Sequence, residues 1–153
     1  MKNVWKKCKN PDALRYITDQ TRDICMAAVR HCGSALEHVK KQTDEICLAA
    51  VRQNGRAVKY VDEQTHKICL AAVRQDGHAL QYIKKQTRPI RLAAVEQDGC
   101  AIKHIDEQTP EICTAAVMQN DKAFWHIKRP TADMWTVAGC PKDEYGPVLM
   151  LYG

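Results

Sequence analysis

Aromatic residues are scarce in this chain, at 6% of 153 positions, and alanine, valine, isoleucine and leucine carry most of an apolar content of 45%. A core of small aliphatic side chains suits closely packed helices better than a sandwich of strands. No apolar run approaches the ~20 residues that cross a bilayer, so no membrane partner is expected. The basic stretch 1–9 lacks the apolar segment of a signal peptide. Charge of one sign is missing too. The formal net charge is only +5, and both signs are interleaved along most of the chain, too mild an excess to announce a nucleic-acid binder.

The motifs of catalysis are absent as well. There is no glycine-rich phosphate loop, no nucleophile elbow, no H-E-x-x-H and no isolated carboxylate pair. Eight cysteines are present, but none form a C-x-x-C pair. The reading is therefore of a non-enzyme with no catalytic residue, no cofactor and no metal. The length fits one domain large enough to bury a core.

What the sequence does contain is a repeat. Gln-Thr recurs at 20–21, 42–43, 64–65, 86–87 and 108–109, and Ala-Ala-Val at 27–29, 49–51, 71–73, 93–95 and 115–117. Gly33, Gly55, Gly77 and Gly99 keep the same interval, and Asp121 takes that place in the fifth copy. The period is 22 residues without insertion, and five full copies cover 20–129. Partial copies at 10–19 and 130–140 flank them, and 141–153 reads as a capping tail, all within one repeat domain spanning 1–153.

Each copy reads as two short helices. Thr43 is placed to cap the first, with Asp44 and Glu45 favouring the positive end of its dipole. The apolar stretch 46–51 should be buried on most sides, and Gly55 is expected to end the helix in the left-handed conformation. Residues 56–63 then form the second helix, with Ala57, Val58, Tyr60 and Val61 inward. Pro89 and Pro110 fit a first turn, where a missing N–H matters least. One such unit cannot bury its own apolar face, so the copies must stack. The expected fold is an all-α, right-handed-type helical-hairpin solenoid, a curved rod roughly 50–60 Å long if neighbouring helices stand ~8–10 Å apart.

The pattern Glu-Ile-Cys-Leu-Ala-Ala-Val-Arg-Gln-Asn-Gly-x-Ala-Val-x-Tyr-Val at 45–61 resembles the short helical repeat named domain of unknown function 4116, over roughly residues 10–140. The resemblance implies the fold and carries no activity.

Rows of equivalent positions supply the candidate chemistry. Cys25, Cys47, Cys69 and Cys113 share one position, with Arg91 in the fourth copy. One helix spacing between neighbours is too wide for a metal cluster with bonds of ~2.0–2.3 Å, so these thiols are expected as small apolar packing in a reducing, cytoplasmic setting. Cys32 and Cys100 lie near turns. Tyr16, His38, Tyr60, Tyr82, His104 and His126 form a second row, expected half-buried between successive second helices; His104 and His126, in adjacent copies, could meet. A third row alternates in sign as Lys40-Lys41, Asp62-Glu63, Lys84-Lys85, Asp106-Glu107 and Lys128-Arg129, and reads as a charge ladder that guards register between copies.

A fourth row, Arg30, Arg52 and Arg74, gives way to Glu96 and Met118 and runs beside Gln53, Gln75, Gln97 and Gln119. Near the carboxyl end Trp125 stands where Glu37, Lys59, Gln81 and Lys103 are polar, under a tail expected to fold back over it. The departures from regularity, Arg91, Glu96, Met118 and Trp125, together with the arginine row, are the candidate binding residues. The function expected from this pattern is a scaffold that binds a protein through one face. The alternatives are nucleic-acid binding through the basic N-terminal half, with Lys2, Lys6, Lys7 and Lys9, or end-to-end self-association through the aromatic C-terminus.

Overall fold

The computed structural model describes residues 11–139. Among them α-helices alternate with short 3₁₀ helices. The α-helices are α1 (Arg22–His31), α2 (Asp44–Gln53), α3 (His66–Gln75), α4 (Arg88–Gln97), α5 (Pro110–Gln119) and the short α6 (Ala132–Val137). The 3₁₀ helices are η1 (Pro11–Tyr16), η2 (Gly33–His38), η3 (Gly55–Tyr60), η4 (Gly77–Tyr82), η5 (Gly99–His104) and η6 (Asp121–His126). Successive α-helices pack side by side in one layer and successive 3₁₀ helices in a second, with each of η2–η5 resting on the α-helix of its own copy and of the next. The architecture is an all-α tandem-repeat solenoid. No helix among the described residues is long and apolar enough to cross a membrane.

The second helix of each copy is 3₁₀, not α, and ends at residue 60 in the second copy where an extension to 63 was expected. The cause is legible in its spacing. A 3₁₀ helix has three residues per turn, so positions three apart share a face. Gly55, Val58 and Val61 fall on that interval and are all buried, with Ala57 beside them. Tyr60 is only half-buried. Between the layers lie Ala50, Val51, Val58, Ala72, Val73, Leu80, Ala94, Val95 and their equivalents, most with no exposed surface at all.

Helix starts follow the sequence in three copies. The Thr21, Thr43 and Thr65 hydroxyls each accept from the N–H three residues on, at 3.4 Å. Thr87 and Thr109, capping the helices with Pro89 or Pro110 in the first turn, make no such bond, and their buried hydroxyl oxygens have no partner among the described residues.

The glycines correct the expected helix ending. Among the described residues only Gly139 has positive φ. α2 ends instead at Asn54, in extended backbone (φ −148°, ψ 109°), whose N–H returns to the Ala50 carbonyl, and the chain enters η3 directly. Glycine is needed for room. A Cβ on Gly55 would lie 2.5 Å from the Ala72 carbonyl oxygen of the next copy, and one on Gly77 would lie 2.6 Å from that of Ala94. These are backbone oxygens in a packed helix, so they cannot swing aside.

Candidate binding face

Two glutamine rows join the copies. The first belongs to the Gln-Thr dipeptides. Gln64 donates its Nε2 to the Val58 carbonyl (3.1 Å) of the preceding copy and to the Tyr82 carbonyl (2.9 Å) of its own, while its Oε1 accepts from the Lys84 N–H at 3.0 Å. Gln20 and Gln108 repeat all three bonds. Sequence reasoning used this dipeptide only to count the period. Its side chain is the inter-repeat staple, and it is legible only once the copies are stacked.

That staple lies beneath the charge ladder. The Lys40, Asp62, Lys84 and Lys128 N–H groups all bond to it. Within the ladder one rung closes as an ion pair among the described residues, Lys128 Nζ with Asp106 Oδ1 at 3.6 Å. Backbone–glutamine bonds run beneath each of those positions, with the charges outside them in solvent.

The second glutamine row follows the arginines. Gln53, Gln75, Gln97 and Gln119 each accept, through Oε1, from the N–H of the preceding copy's glycine at 2.5–2.6 Å. The glycine that makes room and the glutamine that fills it stand 20 residues apart, across every full junction. The side chains are exposed, and Nε2 makes only long bonds, 3.5 Å from Gln53 to the His31 carbonyl and 3.4 Å from Gln119 to the Gln97 carbonyl. For Gln75 and Gln97 no protein acceptor for Nε2 occurs among the described residues.

Gln53, Gln75 and Gln97 line an open groove of about 520 Å³ together with Asn54, Asp76 and Asp98. These acids are answered locally. The Arg56 Nε donates to Asp76 Oδ2 at 2.7 Å, and His78 Nε2 stands 3.0 Å from Asp98 Oδ2. The other ring nitrogen of His78 lies 3.1 Å from His104 Nε2, the rings meeting edge to face. Burial holds His104 below its ordinary 6.5, helped by His78, Lys103 and Arg56 and opposed by Asp76. The sequence suggested His104 against His126. The actual pair is offset by 26 residues, which no row of equivalent positions reveals.

Arg30, Arg52 and Arg74 are exposed at the last turns of α1, α2 and α3, each one residue before His31, Gln53 or Gln75. None has a carboxylate partner among the described residues. Other exposed arginines do: Arg22 with Glu45, Arg88 with Glu111. Glu96 and Met118 continue the row, Met118 with 74% of its surface exposed. Arg91 lies elsewhere. Its side chain is 17% exposed, and it bonds the Gln86 and Glu107 carbonyls at 3.0 and 2.8 Å, so it replaces the cysteine of its row as a tie between the two ends of its own copy. Trp125, 64% exposed, meets Phe124 edge to face at 5.8 Å. The tail expected to cover it lies outside the described residues.

The cysteine row is interior. Cys25, Cys47, Cys69 and Cys113 are buried, and burial pushes each thiol up, Cys47 to about 11 with help from Asp44 and Asp62. Cys47 donates to Gln42 Oε1 at 3.4 Å, adding to the staple. The Tyr–His row sits half-buried at His38, Tyr60, Tyr82 and His104, with Lys59 Nζ 4.5 Å from the Tyr60 ring and 5.9 Å from that of Tyr82.

No curated protein and no solved structure matches the chain. The family of domain of unknown function 4116 matches it twice in tandem, over residues 21–65 and 66–109, so each match spans two 22-residue copies. The fifth copy keeps the same α–3₁₀ alternation and the same glutamine bonds beyond those limits. On that match, over more than half its length, the chain belongs to the family of domain of unknown function 4116.

Proposed function

We propose that this protein is a non-catalytic scaffold that binds another protein through the edge bearing Arg30, Arg52 and Arg74. The observation that carries this reading is a row of exposed guanidinium groups without a carboxylate partner among the described residues, where Arg22, Arg56 and Arg88 each have one. Helix stability does not account for the row. Arginine near a helix C-terminus gains ~0.3–1 kcal/mol from the dipole, yet α4 has the same length and ending with Glu96 at the same place. Glu96 and Met118 then set where the basic stretch stops. The free, buried cysteines among the described residues support a reducing compartment, consistent with a cytoplasmic protein.

The test is capture from host lysate with and without nuclease, using the native chain and the triple variant Arg30→Glu, Arg52→Glu, Arg74→Glu. A protein partner that survives nuclease and is lost with the variant, while melting is unchanged, supports the scaffold. Proteins lost after nuclease, with nucleic acid in the eluate and steep weakening by salt, would transfer the row to phosphate binding. Equal loss of folding and binding would remove the row from function altogether.

A further inference from the structure

The arginine row and the outer glutamine row share one edge and one period, and together they specify the shape of the occupant. Each copy from the second to the fifth offers the edge one glutamine amide. Its Oε1 is held by a glycine N–H at 2.5–2.6 Å, and on Gln75 and Gln97 the Nε2 donor is unused within the described residues. Beside it in the second and third copies, and beside His31 in the first, stands a guanidinium without a carboxylate partner among the described residues. A donor row of this kind suits a chain whose own carbonyls are unpaired, and a cation row suits carboxylates recurring at the same interval.

The interval decides the conformation. Helices packed side by side stand ~8–10 Å apart. A polyproline-II chain rises ~3.1 Å per residue with three residues per turn and no internal hydrogen bonds, so every third residue returns to the same side after about 9 Å. A β-strand presents one side every second residue, at about 6.6 Å, and drifts out of step within two copies. An α-helix satisfies its own carbonyls and has none to give.

Resting on the scaffold reading above, we propose that the groove edge receives an extended, polyproline-II-like peptide with a carboxylate at every third residue. Its acids pair with Arg30, Arg52 and Arg74, and its backbone carbonyls accept from the Nε2 of Gln53, Gln75 and Gln97. Glu96 ends the acid-reading stretch after three copies. Asp76 does not repel the incoming acids, because Arg56 already pairs with it, and Asp98 lies in the copy of Glu96, past the last arginine of the row.

The experiment is fluorescence anisotropy of the full chain with a labelled peptide of repeated Glu-Pro-Pro triplets. It is compared with an isomer of the same composition whose glutamates are gathered at one end, and with a Gln-Pro-Pro version. The triplet peptide should bind at least ~10-fold more tightly than either control, a gap of one decade in Kd. Arg52→Glu with Arg74→Glu should abolish the preference. Gln75→Glu keeps an acceptor for the glycine N–H and removes the amide donor, so it should weaken binding with the fold intact by circular dichroism. Equal affinity for the triplet peptide and its isomer, still weakened by arginine reversal, overturns the spacing and leaves the arginine face standing. Binding that ignores arginine reversal overturns both. A single-stranded oligonucleotide that displaces the peptide, with steep salt dependence, overturns the peptide as occupant.

Discussion

The two glutamine rows are the same residue at the same period on the same array, and they differ in what each amide has left over. On the Gln-Thr edge, Gln64 is half-buried and engages three backbone groups in two copies. On the opposite edge, Gln75 is exposed and engages one, the Gly55 N–H. The first edge is closed. The second is held at the junction by a glycine–glutamine contact and leaves the Gln75 and Gln97 donors unused, next to arginines without a carboxylate partner, among the described residues. In a solenoid each copy touches only its neighbours, so stacking must be secured at each junction. Here one edge secures it fully, and the other retains hydrogen-bonding capacity for something else.

The largest effect should come from the junction itself. Gly77→Ala puts a Cβ 2.6 Å from the Ala94 carbonyl oxygen, and we expect a loss of about 3 kcal/mol or more in urea unfolding. A loss under about 1 kcal/mol would mean that the two copies can slide apart locally. Next, Gln64→Leu strips partners from the Val58 and Tyr82 carbonyls and the Lys84 N–H. It should cost about 2–3 kcal/mol, with faster hydrogen exchange at Lys84. Gln75→Leu orphans only the Gly55 N–H and should cost about 1–2 kcal/mol. If the two leucine variants melt alike, the contrast between the edges is lost.

A smaller effect should follow pH. Folding holds His104 below its ordinary 6.5, so the unfolded chain takes up the proton more readily and acid favours unfolding. Its contribution is complete above about 6.5 and is lost as pH falls below it. His104→Gln should flatten the melting temperature across that window, and an unchanged slope would assign it to other groups. The smallest effect belongs to the binding row. Arg52→Glu should shift stability within about 0.5 kcal/mol, since neither a buried contact nor an ion pair is removed.

Repeat positions announced the fold because the core is built from them. Ala50, Val51 and Val58 and their equivalents are buried in every copy, and identical spacing demands identical packing. The second helix reads as reaching residue 63 with Tyr60 inward because a six-residue segment is too short to separate a period of 3.0 from one of 3.6, although Gly55, Val58 and Val61 carry the interval of three. The glycines were read through φ, their commonest use, when the constraint was an oxygen in the next copy. Contacts between unlike rows stayed hidden for the same reason. His78 with His104, Arg56 with Asp76 and Gln64 with Tyr82 join positions that no period relates. The arginine row was visible as a row, but its lack of carboxylate partners became visible only in three dimensions.

The glycine–glutamine contact has a consequence for how such chains change over time. Gly33, Gly55, Gly77 and Gly99 meet Gln53, Gln75, Gln97 and Gln119, while Asp121 and Pro141 occupy the next pair of places, and Pro11 and His31 the pair before. The two residues come and go together. Because every internal junction uses the same pair, tandem duplication or deletion of any 22-residue segment inside the run rebuilds a matched junction wherever the break falls. The number of copies can therefore drift by genetic slippage without a compensating mutation at the junction, each copy adding or removing one matched interface.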